Sequence, residues 1–167
     1  MDKYKERLVK GRPGGEVFGI MAIGAVRIAA GVAVMLLVHE LGFFLIPIGG
    51  VLIFQGIQHM NVEYEYLIVN GDIEISKIIN KNSRKILREI TAEDIQRVAP
   101  LSNDRVKNDL EVNTRRKVYD YTDGTGGELY FVVFERAKEK DSAYILDLDE
   151  ECVQLLSDTL KKKFERK

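Results

Sequence analysis

The chain has 167 residues, with 25 Lys and Arg against 26 Asp and Glu and a formal net charge of −1. This balance excludes a basic face for nucleic acid, so we expect no nucleic-acid partner. The single cysteine, Cys152, excludes an internal disulfide and fits a reducing compartment. The length allows one domain with an appendage.

The chain begins with a basic arm, residues 1–16, and continues with an almost unbroken apolar stretch over residues 17–58. We interpret this stretch as two helices, 17–38 and 41–58, because each approaches the roughly 20 residues that cross a bilayer. A cleaved signal peptide has a shorter apolar segment of about 7–15 residues. A buried helix pair in a soluble protein is the alternative, but about 100 other residues would scarcely cover helices that are apolar all round.

A polar point at His39–Glu40 separates the two helices and predicts a tight turn in an antiparallel hairpin. The predicted turn contains no Lys or Arg, whereas the arm contains five, at positions 3, 5, 7, 10 and 12. The positive-inside rule therefore predicts a multi-pass protein of the cell (cytoplasmic) membrane with both termini in the cytoplasm.

Small residues recur on both predicted helices and predict close packing, because membrane helices approach one another through small side chains. They are Gly42, Gly49 and Gly56 on the second helix and Ala25, Ala29 and Ala33 on the first. These faces predict either packing within the hairpin or contact with a membrane-protein partner or a second copy.

Arg27 lies near the middle of the first predicted helix, where a charge costs about 2.5–3.5 kcal/mol on insertion scales. A turn at His39–Glu40 places Gln55 level with Arg27, so Gln55 is its predicted hydrogen-bond acceptor. Two interpretations stay open. Arg27 either packs and extends toward the headgroups, or makes an intramembrane contact with a partner.

After Met60 the apolar period changes from that of helices to that of strands. We predict four strands over residues 62–69, 72–79, 84–90 and 95–101, with a turn at Asn70–Gly71, and then a loop over 102–114. Three more strands follow at 117–121, 128–136 and 142–148. A C-terminal helix is predicted to begin at the N-cap Asp149, with an apolar stripe at Cys152, Val153, Leu156, Leu160 and Phe164.

This order of elements over residues 62–164 resembles the pleckstrin-homology-like (PH-like) fold. The segment YLIVNG at 66–71 leads to ILREI at 86–90 and EDIQRV at 93–98, as in a small bacterial membrane-protein family of unknown function with two transmembrane helices and a PH-like cytoplasmic domain. The resemblance implies an α+β fold: a transmembrane hairpin, then a seven-stranded sandwich or partly open barrel over residues 61–167, capped by the C-terminal helix. A small closed barrel and an unrelated α+β domain are the alternatives.

No motif in the sequence predicts a reaction, a cofactor or a metal site. The glycine-rich segments 12–15 and 123–127 lack the spacing of a phosphate-binding loop. The two histidines, His39 and His59, lie at opposite ends of the second helix and cannot share a metal. Cys152 lies on the apolar stripe and is predicted to be a packed thiol.

We therefore predict a membrane-anchored, non-enzymatic binding or scaffold module at the inner face of a bacterial membrane, whose soluble part, from residue 61 onward, folds alone. The lipid bilayer is its expected partner, with candidate membrane-surface residues at Lys81, Arg84, Lys85 and Arg88. These basic residues form a solvated face in the alternative interpretation. The alternative function is a small integral-membrane enzyme or transport accessory subunit with a site around Arg27 and Gln55.

Overall fold

The computed structural model describes residues 4–37, 40–113, 115–126, 129–137 and 140–165. They divide into two compact units. The helical unit contains Arg12–Val62 and the short segment Ile79–Ser83, and the sheet unit contains the strands on either side of these segments. Within the predicted turn, residue 39 lies outside the described residues, and Glu40 begins a short 3-10 helix.

The helical unit is a hairpin of two helices. Helix α1 spans Gly15–Leu37, the 3-10 turn spans Glu40–Phe44, and α2 spans Leu45–Gln58. By length and composition, α1 and the combined stretch Glu40–Gln58 are each long and apolar enough to cross a membrane. These bounds agree with the predicted helices to within a few residues.

Glycines make the contact between α1 and α2. Gly49 lies against Gly24, and a Cβ built on Gly49 would come within 2.6 Å of the Gly24 carbonyl oxygen. Gly42 lies against Gly31 in the same way, and Gly56 lies against Met21. The predicted glycine face of the second helix is therefore the packed one.

The predicted alanine face of the first helix is not the packed one. Ala25, Ala29 and Ala33 are exposed, and the contact is made instead by Gly24 and Gly31, which lie seven residues apart. Successive helix residues are rotated by about 100° around the helix axis. Ala25, which follows Gly24 directly, therefore lies on a different side of α1, away from α2, and so do Ala29 and Ala33. Glycine allows the closer approach, and it determines which side of α1 packs.

The sheet unit contains two four-stranded sheets. The first has the order β1-β2-β3-β4, with β1 at Tyr4–Lys10, β2 at Val62–Val69, β3 at Asp72–Ile79 and β4 at Ser83–Ile90. The second has the order β5-β7-β8-β6, with β5 at Ile95–Pro100, β6 at Lys117–Asp120, β7 at Tyr130–Ala137 and β8 at Lys140–Asp147. Helix α3 spans Asp104–Val112, and α4 spans Glu150–Leu160.

The predicted α+β class with a C-terminal helix is confirmed, and the sheets remain open. The described strands number eight where the sequence predicts seven, because part of the basic arm forms β1. This strand pairs antiparallel with β2, from Tyr4 opposite Val69 to Lys10 opposite Glu63. Its pattern is hard to detect because Val9 is its one buried apolar residue, while Lys5 and Arg7 are only partly buried.

The main core lies between the two sheets and is closed by α4. Fully buried residues from all three layers meet there, including Tyr66, Ile75, Val133, Leu146 and Leu156. The predicted N-cap is confirmed, because the Asp149 side chain accepts a hydrogen bond from the Cys152 amide at 2.8 Å. The predicted stripe of α4 contributes to this core through Cys152, Leu156 and Leu160.

A second, smaller core lies where α3 covers the other face of the second sheet. Val106 of α3 packs there with Ala99, Val132, Phe134 and Ala143. The sequence predicts a loop here, with a short helical turn as the alternative, because the segment is polar. In the structure it contains the nine-residue helix α3, in which only Val106 is buried. Its N-cap, Asn103, accepts a hydrogen bond from the Arg105 amide at 3.0 Å.

Candidate functional site

The structure does not bring the two predicted intramembrane residues together. Arg27 and Gln55 are both exposed, and Arg27 makes no hydrogen bond or ion pair with any other described residue. The contact between Gly56 and Met21 places this part of α2 beside the beginning of α1, whereas Arg27 lies further along α1. The predicted Arg27–Gln55 hydrogen bond is absent, so no observation favours a catalytic or transport site there.

The four predicted membrane-surface residues do not form one basic surface. Arg84 is paired with carboxylates, with its Nη2 atom 2.7 Å from Glu65 and 3.2 Å from Glu74. Arg88 lies over the Tyr119 ring, 5.4 Å from its centroid, and donates to the Tyr119 hydroxyl. Lys81 and Lys85 are exposed and make no polar contact with other described residues.

Lys81 lies in a turn that belongs to the helical unit. The turn is attached to the end of α2, where the Asn80 amide donates to the Asn61 carbonyl at 2.8 Å and the Asn80 side chain donates to Gln58. Of the four predicted basic residues, Lys81 is therefore the one next to the end of an apolar helix.

Glu65 and Arg84 form a partly enclosed charge pair on the outer face of the first sheet. Glu65 is buried, although its strand position faces away from the main core. Burial raises the pKa of Glu65, and the neighbouring Glu6 raises it further, while Arg84 acts in the opposite direction. Arg84 thus offsets the repulsion between these carboxylates.

Three ion pairs that the sequence does not predict join β1 to the end of β8 and the beginning of α4. Arg7 donates to the Asp147 carbonyl at 3.0 Å and lies within 3.3 Å of both Asp147 and Asp149. Lys5 pairs with Glu151. These contacts are not predictable from the sequence, because the partners lie about 140 residues apart.

The edges of the two sheets differ in how they are covered. The edge of β5 is capped near Val98, which bridges to Phe164 and accepts a hydrogen bond from Glu165 at 2.8 Å. β6 is a short edge of four residues. β4 has eight residues, and apart from its ladder with β3 its backbone makes no hydrogen bond to other described residues.

A cluster of four tyrosines forms part of the main core and its margin. The rings of Tyr64, Tyr119, Tyr121 and Tyr144 lie with neighbouring centroids 5.3–6.2 Å apart. The Tyr144 hydroxyl donates to Glu135 at 2.6 Å, and burial together with this bond raises its pKa. The Tyr144 hydroxyl therefore stays protonated at neutral pH and acts as a hydrogen-bond donor.

A shallow depression of about 230 Å³ lies where the end of β2, the beginning of β3 and the end of β4 meet. Its apolar part comes from Leu67 and Val69, and its polar part from Asp72, Glu74 and Glu89. Three carboxylates disfavour an anionic headgroup, so the depression does not support phosphoinositide binding.

The described residues offer little for catalysis. No group of three or more His, Cys, Asp or Glu among them is placed to hold a metal ion. Cys152 is fully buried, and this burial, followed by the Asp149 carboxylate, raises the pKa of its thiol to about 12. The thiol is protonated at neutral pH and is therefore a packing group and a poor nucleophile.

Comparison with known proteins identifies a family. A family model described as "Bacterial PH-like domain (DUF6106)" matches residues 1–166, which include both apolar helices and all eight strands. No curated protein and no solved structure gives a significant match to the chain. The match confirms the predicted resemblance, and PH-like domains are generally non-catalytic.

Proposed function

Because the chain belongs to this family of bacterial PH-like domains, we propose that it is a membrane-anchored, non-enzymatic binding module at the inner face of the cytoplasmic membrane. The single observation that carries the proposal is that the helical hairpin buries small residues and exposes large apolar ones, which is the reverse of a soluble protein. The glycines between its two helices, such as Gly24 and Gly49, are buried, while most of its large apolar side chains point outward.

The outward surface of the hairpin suits lipid. Leu36, Leu37 and Phe54 have exposed fractions of 74%, 83% and 61%. In water, each exposed apolar Å² costs about 25 cal/mol, whereas lipid tails remove this cost. Only 11% of the most apolar window of α1, and 17% of that of Glu40–Gln58, is buried, which disfavours a soluble helix pair.

The charges next to the hairpin support a cytoplasmic domain. Lys10 and Arg12 lie close to the beginning of α1 in the sequence, and the positive-inside rule assigns such basic residues to the cytoplasmic side. Lys81 lies beside the end of α2. A basic residue near an anionic leaflet contributes about 1 kcal/mol, so these few charges favour one orientation.

The way the hairpin joins the sheet supports a role in presentation. The chain leaves β1 after Lys10 and returns at Val62, and Lys10 pairs with Glu63 on the neighbouring strand. The domain is therefore tethered through two adjacent strands. Two short tethers restrict the freedom of the domain more than one does, and confinement at the membrane raises the effective concentration of any membrane-bound partner.

The experiment that tests this proposal is cysteine labelling in intact cells, in a Cys152→Ala background. Leu41→Cys reports on the exposed turn, and Lys162→Cys reports on the exposed end of the sheet unit. We expect a membrane-impermeant maleimide to label Leu41→Cys in intact cells, and Lys162→Cys only after permeabilisation.

Two results would contradict the proposal. Recovery of the full chain in the soluble fraction would exclude membrane anchoring. The opposite labelling pattern, with Lys162→Cys modified in intact cells, would place the PH-like domain on the external face.

A further inference from the structure

Arg27 belongs to a face of α1 that α2 leaves largely uncovered. Helix residues at alternating spacings of three and four lie on one side of the helix. For Arg27 these neighbours are Ile20, Ile23, Ala30 and Val34, and together the five residues make up the Arg27 face. Ile20 and Ile23 are 41% and 54% exposed, and Arg27 and Ala30 are exposed as well. This face is therefore open to another helix.

The Arg27 face lies next to the side of α1 that packs against α2. Successive residues are rotated by about 100°, so Arg27 lies about 60° around the helix from Gly24. Gly24 is buried against Gly49, whereas Arg27 makes no hydrogen bond or ion pair with any other described residue. The two helices therefore pack together without using Arg27.

Arg27 also lies far from both ends of α1. It comes 12 residues after Gly15 and 10 residues before Leu37. At about 1.5 Å per residue these separations are about 15–18 Å along the helix axis, which is farther than an arginine side chain extends. Charged side chains at such depth in a bilayer are costly and usually pair with an opposite charge or with backbone carbonyls. Since the hairpin supplies no such pair, a partner outside it is needed.

We propose that the Arg27 face docks a transmembrane helix of a different membrane protein, one that carries Asp or Glu near the middle of the bilayer. The inference rests on the proposed membrane anchoring of the hairpin. The partner's carboxylate accepts charge-assisted hydrogen bonds from the Arg27 guanidinium. Ala30, one turn further along α1, allows the partner helix to approach closely.

The sequence argues against a second copy as the source of the carboxylate. Residues 17–39 and 41–58 contain no Asp or Glu, and Arg27 is their only Lys or Arg. Glu16 and Glu40 lie at the ends of the apolar segments. Two copies that met through the Arg27 face would bring two guanidinium groups together in a medium of low dielectric constant, where like charges repel strongly. Charge complementarity therefore points to a different chain.

Energy transfer in lipid vesicles tests the pairing. Full-length protein with Cys152→Ala and Leu41→Cys carries a donor fluorophore in the turn and is reconstituted in phosphatidylcholine vesicles. The probe is a synthetic transmembrane peptide of about 20 Leu and Ala residues, with one central Asp and an acceptor fluorophore at its end. The matched probe has Leu in place of the Asp.

We expect the Asp peptide to associate about five-fold or more tightly than the Leu peptide, and Arg27→Leu to abolish the difference. Arg27→Glu should instead favour a peptide with a central Lys. Equal association of the Asp and Leu peptides with Arg27 in place, or a preference for Asp that survives Arg27→Leu, would overturn the proposal. Flotation with the vesicles verifies that each variant is inserted.

Two neighbouring alanines locate the docking surface. Ala30→Leu adds bulk beside Arg27 and should weaken association of the Asp peptide about five-fold or more through overpacking. Ala29→Leu is the matched control, because Ala29 lies about 160° around the helix from Arg27, and it should have no effect. Equal effects of the two substitutions would refute docking on the Arg27 face.

Two further outcomes separate the proposals. Energy transfer between two labelled copies without peptide, abolished by Arg27→Leu, would assign the Arg27 face to a second copy and overturn the inference. Failure of the protein to float with vesicles would overturn membrane anchoring and this inference together. An anchored protein with no preference for the Asp peptide would refute this inference alone.

Discussion

The helical hairpin and the PH-like domain place the same kinds of residue on opposite sides. In the domain, large side chains such as Tyr66 and Leu156 are fully buried. In the hairpin, Leu36 and Phe54 are exposed, and the buried positions are glycines such as Gly49. The difference shows that one continuous chain contains two cores formed by different forces.

The domain is stabilised mainly by removing apolar surface from water. The hairpin, once surrounded by lipid, gains little from burying apolar surface, because lipid tails are as apolar as leucine. Its two helices depend on close backbone approach, which a side chain larger than hydrogen prevents. Five predictions follow from this contrast, and each would separate the two regions or refine the boundary between them.

Removing the hairpin should have the largest effect, because the proposed membrane anchor is then missing and the remaining domain should be soluble. Lys10 and Glu63 are the last residues paired between β1 and β2, so replacing residues 11–62 with Asn-Gly supplies a two-residue hairpin turn. We expect a soluble, cooperatively unfolding domain in thermal denaturation. The matched control, residues 62–167 without β1, should be less stable because Val9 and the Arg7 ion pairs are missing. Equal stability would show that β1 is dispensable, as the sequence alone predicts.

A Leu→Ala substitution should destabilise the domain strongly when it is made in the sheet unit and hardly at all when it is made in the hairpin. Leu156→Ala opens a cavity in the main core and should lower the free energy of unfolding by about 2–5 kcal/mol. Leu36→Ala, at a residue that is 74% exposed, should change the stability of the domain by less than about 0.5 kcal/mol. Hydrogen exchange of the β7 amides measures both. A large effect of Leu36→Ala would show that the domain depends on the hairpin for its fold.

Arg27→Leu should make membrane insertion of α1 more favourable by about 2.5–3.5 kcal/mol, because Arg27 is exposed near the middle of the helix. A glycosylation-based insertion assay measures this free energy. Arg12→Leu, outside the helix, is the control and should have a much smaller effect. If both variants inserted equally, Arg27 would not lie in the hydrocarbon layer.

Adjacent glycines on α2 should respond differently to one added methyl group. Gly49→Ala brings a Cβ to 2.6 Å from Gly24 and should cost about 1–3 kcal/mol through overpacking. Gly50→Ala meets nothing within 4 Å and should be neutral or stabilising, since alanine favours helices. Loss of helicity during titration with a denaturing detergent compares the two. Equal behaviour would exclude the glycine contact.

Asp149→Ala should have the smallest effect, about 0.5–2 kcal/mol at neutral pH, because Asp149 caps α4. Burial opposes its ionisation, but hydrogen bonds from Cys152 and the charges of Arg7 and Lys5 outweigh burial, so its pKa is lowered. The lowered pKa contributes stability above the ordinary carboxyl range, and this stability is lost as the pH falls through the folded-state pKa. Chemical denaturation from about pH 7 to pH 2 should therefore show the difference between variant and wild type shrinking. A constant difference would mean that the charge of Asp149 is unimportant.

The predictable parts of the fold are those with a strong local pattern. The two apolar helices, the strand alternation near Tyr66 and the stripe around Leu156 depend on hydrophobic period alone, and the structure agrees with them. The turn at Asn70–Gly71 also agrees, since both residues adopt the positive φ angles that the dipeptide favours.

The features that the sequence does not predict depend on distant partners. β1 is recognisable as a strand only once β2 and the carboxylates of Asp147 and Asp149 are in place beside Arg7. The packed face of α1 depends on which small residue allows the closest approach, which composition does not show. Arg84 illustrates the same limit at the candidate site, because its carboxylate partners lie on other strands.

The position of the hairpin between β1 and β2 also imposes an order on biosynthesis. β1 leaves the ribosome first, but its partner β2 follows only after roughly 50 further residues. At about 5–20 residues per second, β1 waits some 3–10 s without a ladder partner while the apolar segment is being delivered. Completion of the first sheet therefore follows synthesis of the hairpin. The two-sheet domain is therefore completed only after the whole apolar hairpin has been made.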